Sequence, residues 1–231
     1  MLPVLILAGG LATRLRPLTE RIPKALVPVA NKPFVIHQLE FLKGQGIRRV
    51  ILCTGYRADQ IKVVVGDGSA YGLEVSYSED GDTPLGTGGA IIKALPLAGS
   101  AFFVLYGDSF LPISFSKIES EWRRSHKPAL MSVFRNEGQW DSSNVLFEDQ
   151  TVVEYDKHRP RPGMEYIDYG LAVLSADLFS GYQPAIPFDL ADLYHDLSLS
   201  RRLAGMEVFE RFYEIGSPEG LAEAEAFLSR A

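Results

Sequence analysis

Pro3-Val4-Leu5-Ile6-Leu7-Ala8-Gly9-Gly10-Leu11-Ala12-Thr13-Arg14-Leu15-Arg16-Pro17-Leu18-Thr19 opens the chain, and Pro23-Lys24 follows shortly after. The apolar run Pro3 to Leu7 reads as a buried parallel strand. Two adjacent glycines stand at its C-terminal end, where a side-chain-free backbone lets N–H groups approach a ligand and form an anion-binding concavity. Arg14, Arg16, Arg21 and Lys24 crowd the residues that follow. Guanidinium groups match phosphate oxygens bidentately and a lysine acts as a point charge, so a polyphosphate is the natural guest. A Gly-Gly pair after a strand is by itself usually just a turn. This one is not a P-loop, since no Gly-Lys-Ser/Thr follows, and not the Gly-x-Gly-x-x-Gly dinucleotide turn, since its glycines are adjacent.

Outward from this stretch, apolar strands and amphipathic helices alternate. Val35, Leu39 and Leu42 fall at helical spacing, Arg49 to Thr54 reads as a strand, and Ile61, Val64 and Val65 suggest a second helix. Leu73 to Ser78, Ala101 to Tyr106 and Ala129 to Phe134 are further strands, with a helix starting near Gly86 and another carrying Phe115, Ile118 and Trp122. The alternation predicts an α/β protein with a mostly parallel sheet and helices on both faces, its ligands lying beyond the C-terminal strand ends. From about Gly138 the pattern changes. Val145 to Phe147, Thr151 to Val153 and Tyr166 to Leu174 are expected as an inserted antiparallel section, within the domain or on its rim. Leu190, Leu193, Tyr194 and Leu197 mark a later helix and Met206 to Phe209 a strand. Ser217-Pro218 caps the last helix, with Leu221, Ala224 and Leu228 as its buried stripe.

With 231 residues, 46% of them apolar and 23% charged, the chain suits one sizeable core. A formal charge of −6 argues against a general nucleic-acid or anionic-membrane binder. The single cysteine, Cys53, forms no intramolecular disulfide, fits a reducing compartment, and sits in an apolar run where a small buried side chain is expected. No targeting segment is expected, and no run approaches the ~18 apolar residues that span a bilayer, so the expected location is cytoplasmic. His37, His126, His158 and His195 show no metal-ligand spacing.

Two further stretches bear on chemistry. Pro84-Leu85-Gly86-Thr87-Gly88-Gly89-Ala90 opens a helix and offers N–H groups at a positive dipole end; read locally, it is equally a helix start kept tight for packing. Gly107-Asp108-Ser109 places a carboxylate just past a buried strand, on the edge that carries Gly9-Gly10. Taken alone, an aspartate there makes a turn or a cap; beside a phosphate site it suits magnesium, which is commonly held by one or two carboxylates plus phosphate oxygens.

The run Gly9-Gly10-x-x-Thr13-Arg14-Leu15-x-Pro17-Leu18-Thr19 with Pro23-Lys24 resembles the signature of the sugar-1-phosphate nucleotidyltransferases. The likeness continues through Val27-Pro28-Val29 and Asn31-Lys32-Pro33-Phe34. The resemblance implies a three-layer α/β/α Rossmann-like fold in a single domain, with residues 1–137 as the nucleotide-binding half and 138–231 as the sugar-binding and C-terminal half. It implies nucleotide contacts from Leu7, Ala8, Gly9, Gly10, Leu85, Gly86 and Thr87, and catalytic roles for Arg14, Lys24 and Asp108. Asp156 and Lys157 stand where the family has an acid–lysine pair for sugar hydroxyls and sugar phosphate, usually Glu-Lys. Asp168, before Gly170, replaces an asparagine that touches the sugar. The second magnesium ligand beside Asp108 is usually aspartate; here it is Glu214, one methylene longer.

The partners implied are a nucleoside triphosphate and a sugar 1-phosphate, with Mg2+ as cofactor and a homo-oligomer possible. The sugar phosphate would attack the α-phosphorus and release pyrophosphate. Local words such as Pro84 to Ile91 look closest to the D-glycero-D-manno-heptose 1-phosphate and mannose 1-phosphate guanylyltransferases. Uridylyltransferases acting on glucose or N-acetylmuramate 1-phosphate are the near alternative. A catalytically silent subunit that binds nucleotide sugars, or a transferase acting on a non-sugar phosphate, are the readings from other classes.

Overall fold

The computed structural model describes residues 1–10, 13–15, 17–81, 83–140, 142–183 and 186–230; Leu11, Ala12 and Arg16 of the opening stretch lie outside them. The first half runs β1 (Val4–Leu7), a small hairpin of β2 (Pro28–Val29) and β3 (Lys32–Pro33), α1 (Phe34–Gly44), β4 (Arg49–Thr54), α2 (Ala58–Val65) and β5 (Glu74–Glu79). It continues with α3 (Gly86–Ala98), β6 (Ala101–Tyr106), β7 (Ser109–Phe110), α4 (Phe115–Ser125) and β8 (Ala129–Arg135). Then come β9 (Val145–Glu148), β10 (Thr151–Tyr155), β11 (Tyr166–Ser175), α5 (Leu190–Leu199), β12 (Leu203–Val208), β13 (Tyr213–Glu214) and α6 (Pro218–Leu228).

Nine strands form one sheet in the order β5-β4-β1-β6-β11-β8-β12-β10-β9. The left side, β5 to β6, is parallel throughout. Alternate residues of β1 divide between two cores, Val4 and Ile6 meeting one and Leu5 the other. Side chains of α1, α2 and α4 build the first core, and those of α3 and α5 the second, which makes three layers. From β1 the chain moves outward through β4 to β5, then returns to place β6 on the other side of β1. The crevice between β1 and β6 is therefore the point where the winding direction reverses, the usual seat of a ligand in an open α/β sheet.

The expected antiparallel section exists, but its longest strand is not on the rim. β11 runs antiparallel between β6 and β8 in the middle of the sheet, and only β9 and β10 form the far edge. The reason is in its composition. Leu171-Ala172-Val173-Leu174 is a continuous apolar run, buried on both faces, which suits a central strand. The first half of β11 alternates instead and reaches over to pair Tyr166 with Val145 of β9. Between the halves the register with β8 shifts, from Asp168 opposite Val133 to Ala172 opposite Met131. Ser132 Oγ donates to the Leu171 carbonyl at 2.6 Å within this irregular stretch.

Candidate active site

A cavity of about 300 Å³ opens at the C-terminal ends of β1, β4 and β6. Leu7, Cys53 and Tyr106 are register partners across these three strands and form its floor. Ala8, Gly9, Gly10, Lys24, Asp80, Gly86, Thr87, Gly107 and Asp108 contribute to the walls. Six of the seven residues expected on the nucleotide, Leu7 to Gly10 and Gly86 to Thr87, thus meet at one opening together with Lys24 and Asp108. Leu85 is buried behind the wall, its N–H on Asp80 and its carbonyl accepting from Phe188 N.

Asp108 is placed by backbone geometry. Gly107 N–H donates to the Leu7 carbonyl at 3.0 Å, bringing the turn after β6 hard against the end of β1. A Cβ on Gly107 would stand 2.8 Å from that carbonyl oxygen and 2.9 Å from the Cα of Ala8, so only glycine fits. Gln38, buried in α1, donates from Nε2 to the carbonyls of Tyr106 (3.0 Å) and Ser109 (2.8 Å) and clamps the turn from behind. Next to the turn, β7 pairs with β13, Glu214 opposite Ser109, while Ile215 N–H donates to the Asp108 carbonyl at 2.9 Å. Residues more than 100 positions apart are joined by that short pairing.

The charged groups converge there. Lys24 Nζ lies 2.5 Å from Asp108 Oδ2, the lysine side chain largely buried. Lys24 Nζ, Arg14 Nη2 and Glu214 Oε1 all stand within 3.6 Å of the point that a Cβ on Gly216 would occupy. Two carboxylates from distant parts of the chain thus flank a cationic centre, with the Lys24 ammonium standing in beside Asp108. Such hard oxygen donors, one or two in number, are what magnesium uses when phosphate oxygens and water complete its shell. Among the described residues no group of three or more His, Cys, Asp or Glu side chains is placed to hold a metal by itself. Cys53 lines the cavity, but burial pushes its thiol up to about 12, so it is no nucleophile at neutral pH.

The glycine-rich loop serves two ends. Gly86 has φ +71°, and a Cβ there would lie 2.5 Å from the Phe188 carbonyl oxygen; a Cβ on Gly88 would strike the Phe188 ring at 2.3 Å. Gly88 N–H is taken by the Phe188 carbonyl at 3.1 Å and is not left for a ligand. Packing therefore accounts for Gly88, while Gly86 and Thr87 face the cavity.

Among the residues expected on the sugar, Lys157 Nζ donates to Asp189 Oδ2 at 2.8 Å. Asp156 Oδ1 accepts the His158 and Arg159 N–H groups at 2.8 and 2.7 Å, and these backbone bonds hold its carboxyl below the usual range. Its carboxylate thus caps the turn that carries Lys157. Asp168 is half-buried, and burial raises its carboxyl to about 6 against the opposing pull of the Gly170 N–H (2.9 Å) and of Lys157. Gly170 packs against the Tyr106 ring. Asp168, Asp189 and Asp108 all raise the Tyr106 hydroxyl further than burial alone does, so this floor residue joins the two sides of the site.

Several of these residues went unnoticed in the sequence. Asp189 carried a signal, a capping residue directly before an amphipathic helix, and its Oδ1 does accept Ala191 N–H at 3.0 Å. Tyr106 closes an apolar run just before Gly-Asp. Gln38 and Asp80 belong to no local pattern. Asp80 sits against Gly9 and Gly55, its carboxyl raised by burial and partly relieved by the Leu85 N–H.

A mixed, mostly parallel sheet whose switch-point cleft gathers a glycine turn, two cations and two carboxylates defines a nucleotidyltransferase of Rossmann-like α/β fold. The comparisons name the lineage: residues 3–142 match the Nucleotidyl transferase family, and the chain belongs to it. A D-glycero-alpha-D-manno-heptose 1-phosphate guanylyltransferase from Campylobacter jejuni is 30% identical over 93% of this chain and 95% of its own. An N-acetylmuramate alpha-1-phosphate uridylyltransferase from Neisseria meningitidis is 29% identical, covering 96% of each. The crystal structure of HddC from Yersinia pseudotuberculosis, complexed with GMP-PN, superposes with a TM-score of 0.79 at 28% identity over 99% of this chain and 100% of that one. The family is the one that the stretch from Gly9 to Lys24 resembles, and its enzymes generally use a divalent metal.

Proposed function

We propose that this chain is a sugar-1-phosphate nucleotidyltransferase that transfers a guanylyl group from GTP to D-glycero-D-manno-heptose 1-phosphate or mannose 1-phosphate. The observation that carries the chemistry is the convergence of Arg14, Lys24 and Glu214 beside Gly216, with Lys24 paired to Asp108 in the wall of the switch-point cavity. The acceptor oxygen is already an ionised phosphate, so no general base is required. What the site must do is bring two polyanions into line and stabilise charge on the departing pyrophosphate. In this reading the Gly9-Gly10 backbone and Arg14 hold the β- and γ-phosphates, and Lys24 the α-phosphate. Lys157 holds the sugar phosphate, with Asp156, Asp168 and Gly170 around the sugar. Asp108 and Glu214 would hold Mg2+, which when bound would supply positive charge to offset that of the phosphates. Residues 1–137 then serve the nucleotide and 138–231 chiefly the sugar, in a cytoplasmic enzyme supplied with triphosphates.

Asp80 favours guanine. A carboxylate accepts two adjacent N–H donors, as guanine presents on its Watson–Crick edge, whereas uracil offers one N–H between two carbonyl oxygens that a carboxylate repels. Pyrophosphate release, measured with Mg2+ across GTP, UTP, CTP and dTTP against a panel of sugar 1-phosphates, tests the reading. Turnover with GTP and a manno-configured acceptor is expected. Turnover with UTP alone would replace the guanylyl assignment by the uridylyl one. Silence throughout, with tight nucleotide-sugar binding kept, would make the chain a regulatory subunit.

A further inference from the structure

Asp189 stands at the start of α5, and its two oxygens serve different partners. Oδ1 accepts from Ala191 N–H (3.0 Å) and from the Thr87 hydroxyl (2.9 Å), which itself accepts Leu190 N–H at 2.7 Å. That oxygen is committed to the fold: it caps the helix and ties it to the cavity-lining turn at Gly86-Thr87. Oδ2 takes the Lys157 ammonium at 2.8 Å. Lys157 comes from the turn after β10, a strand whose last residue is already held on α5, Tyr155 N–H donating to Ser198 Oγ at 3.0 Å; the lysine itself stands on a long stem with several rotatable bonds.

We propose that Asp189 is a positioning residue: it draws the Lys157 ammonium onto the Gly86-Thr87 turn, so that the cation for the acceptor phosphate and the loop for the nucleotide are held together. The proposal rests on the reading of Lys157 as the sugar-phosphate cation. Without Oδ2, the half-exposed lysine side chain loses its direct ion pair and keeps only the weaker pull of Asp168, so more of its ordering falls to the substrate. The loss then falls on capture of the sugar phosphate, and nucleotide binding is spared.

Asp189→Asn makes the cut at one atom. The amide oxygen can still accept from Ala191 and Thr87, while the amide nitrogen offers Lys157 no acceptor. With GTP and the most active sugar 1-phosphate of the panel, the KM for the sugar phosphate is expected to rise about fivefold, the scale of one partly exposed ion pair. The KM for GTP and the melting temperature should stay close to those of the parent. In a Lys157→Ala background the same substitution should add nothing. Should Asp189→Asn melt early, Asp189→Ser, which keeps a capping oxygen, carries the same measurement. An unchanged sugar-phosphate KM in a folded Asp189 variant overturns the proposal, as does an equal loss with and without Lys157. A Lys157→Ala enzyme that behaves like the parent overturns the reading of Lys157 itself, and the two failures are thereby told apart.

Discussion

Arg14 and Lys24 approach one point from separate short turns, and in the proposed mechanism each supplies a charge that the transition state needs more than the ground state does. Replacing either by alanine is expected to lower kcat by ~10²–10³, the range for loss of one transition-state stabiliser. Steady-state pyrophosphate release measures it, and losses under about tenfold at both positions would remove them from the chemistry. Asp168 makes a prediction in pH. Its carboxyl titrates near 6 in the fold and near 3.8 in the unfolded chain, so between those values the native state binds the extra proton. Its contribution to stability is therefore fully present below pH 3.8 and is lost as pH rises through 6. Asp168→Asn, whose amide oxygen can still accept the Gly170 N–H, should stabilise the protein at pH 7.5 by up to about 2–3 kcal/mol, with the gain vanishing near pH 4. Melting curves across that range decide it; a gain independent of pH would mean that the raised carboxyl is not its source.

Among the elements, the turn between β6 and β7 matters most, because it places Asp108. Its position depends on Gly107 lying against β1 and on Gln38 reaching from α1. Gly107→Ala forces a methyl into backbone atoms of Leu7 and Ala8, and overpacking of this kind costs about 1–3 kcal/mol. Activity should suffer more than stability, since the displaced segment carries Asp108. Gly44→Ala, with nothing within 4 Å of the added methyl, is the control and should keep full kcat. Comparable activity in the two variants would show that the turn is not critical. The strand positions and helices were legible along the chain because apolar periodicity is local, and the opening motif was legible because its residues are contiguous. The place of β11, left open between the domain interior and its rim, was not legible for the opposite reason: whether an apolar strand is central or peripheral depends on which neighbours pair with it.

For the whole molecule, the cavity at the reversal between β1 and β6 predicts coupled binding of metal and nucleotide. Chelation of divalent cations should abolish turnover, and added Mg2+ should restore it, because in the proposed mechanism Asp108 and Glu214 would hold the cation that offsets phosphate charge. Activity that survives exhaustive chelation would rule that role out. At saturating concentration GTP should raise the melting temperature more than UTP, a ligand at a hundred times its Kd contributing about 2.7 kcal/mol. Equal shifts would count against Asp80 as the base selector.

From the residues in order came the alternation of strands and helices, the glycine and cation motif expected to meet phosphate, and the acids and lysine expected on later strand ends. The alternation rests on neighbours in the chain, where spacing dictates which face a side chain joins; the roles given to the opening stretch and to the later acids and lysine are what the resemblance to the nucleotidyltransferases implies. Tertiary structure decided what lies far apart in sequence: Glu214 carried to Asp108 by the pairing of β7 with β13, Lys157 bound to Thr87 through Asp189, and Asp80 at the cavity wall. Such contacts are set by the order of strands in the sheet, which is a property of packing the whole core and has no local code.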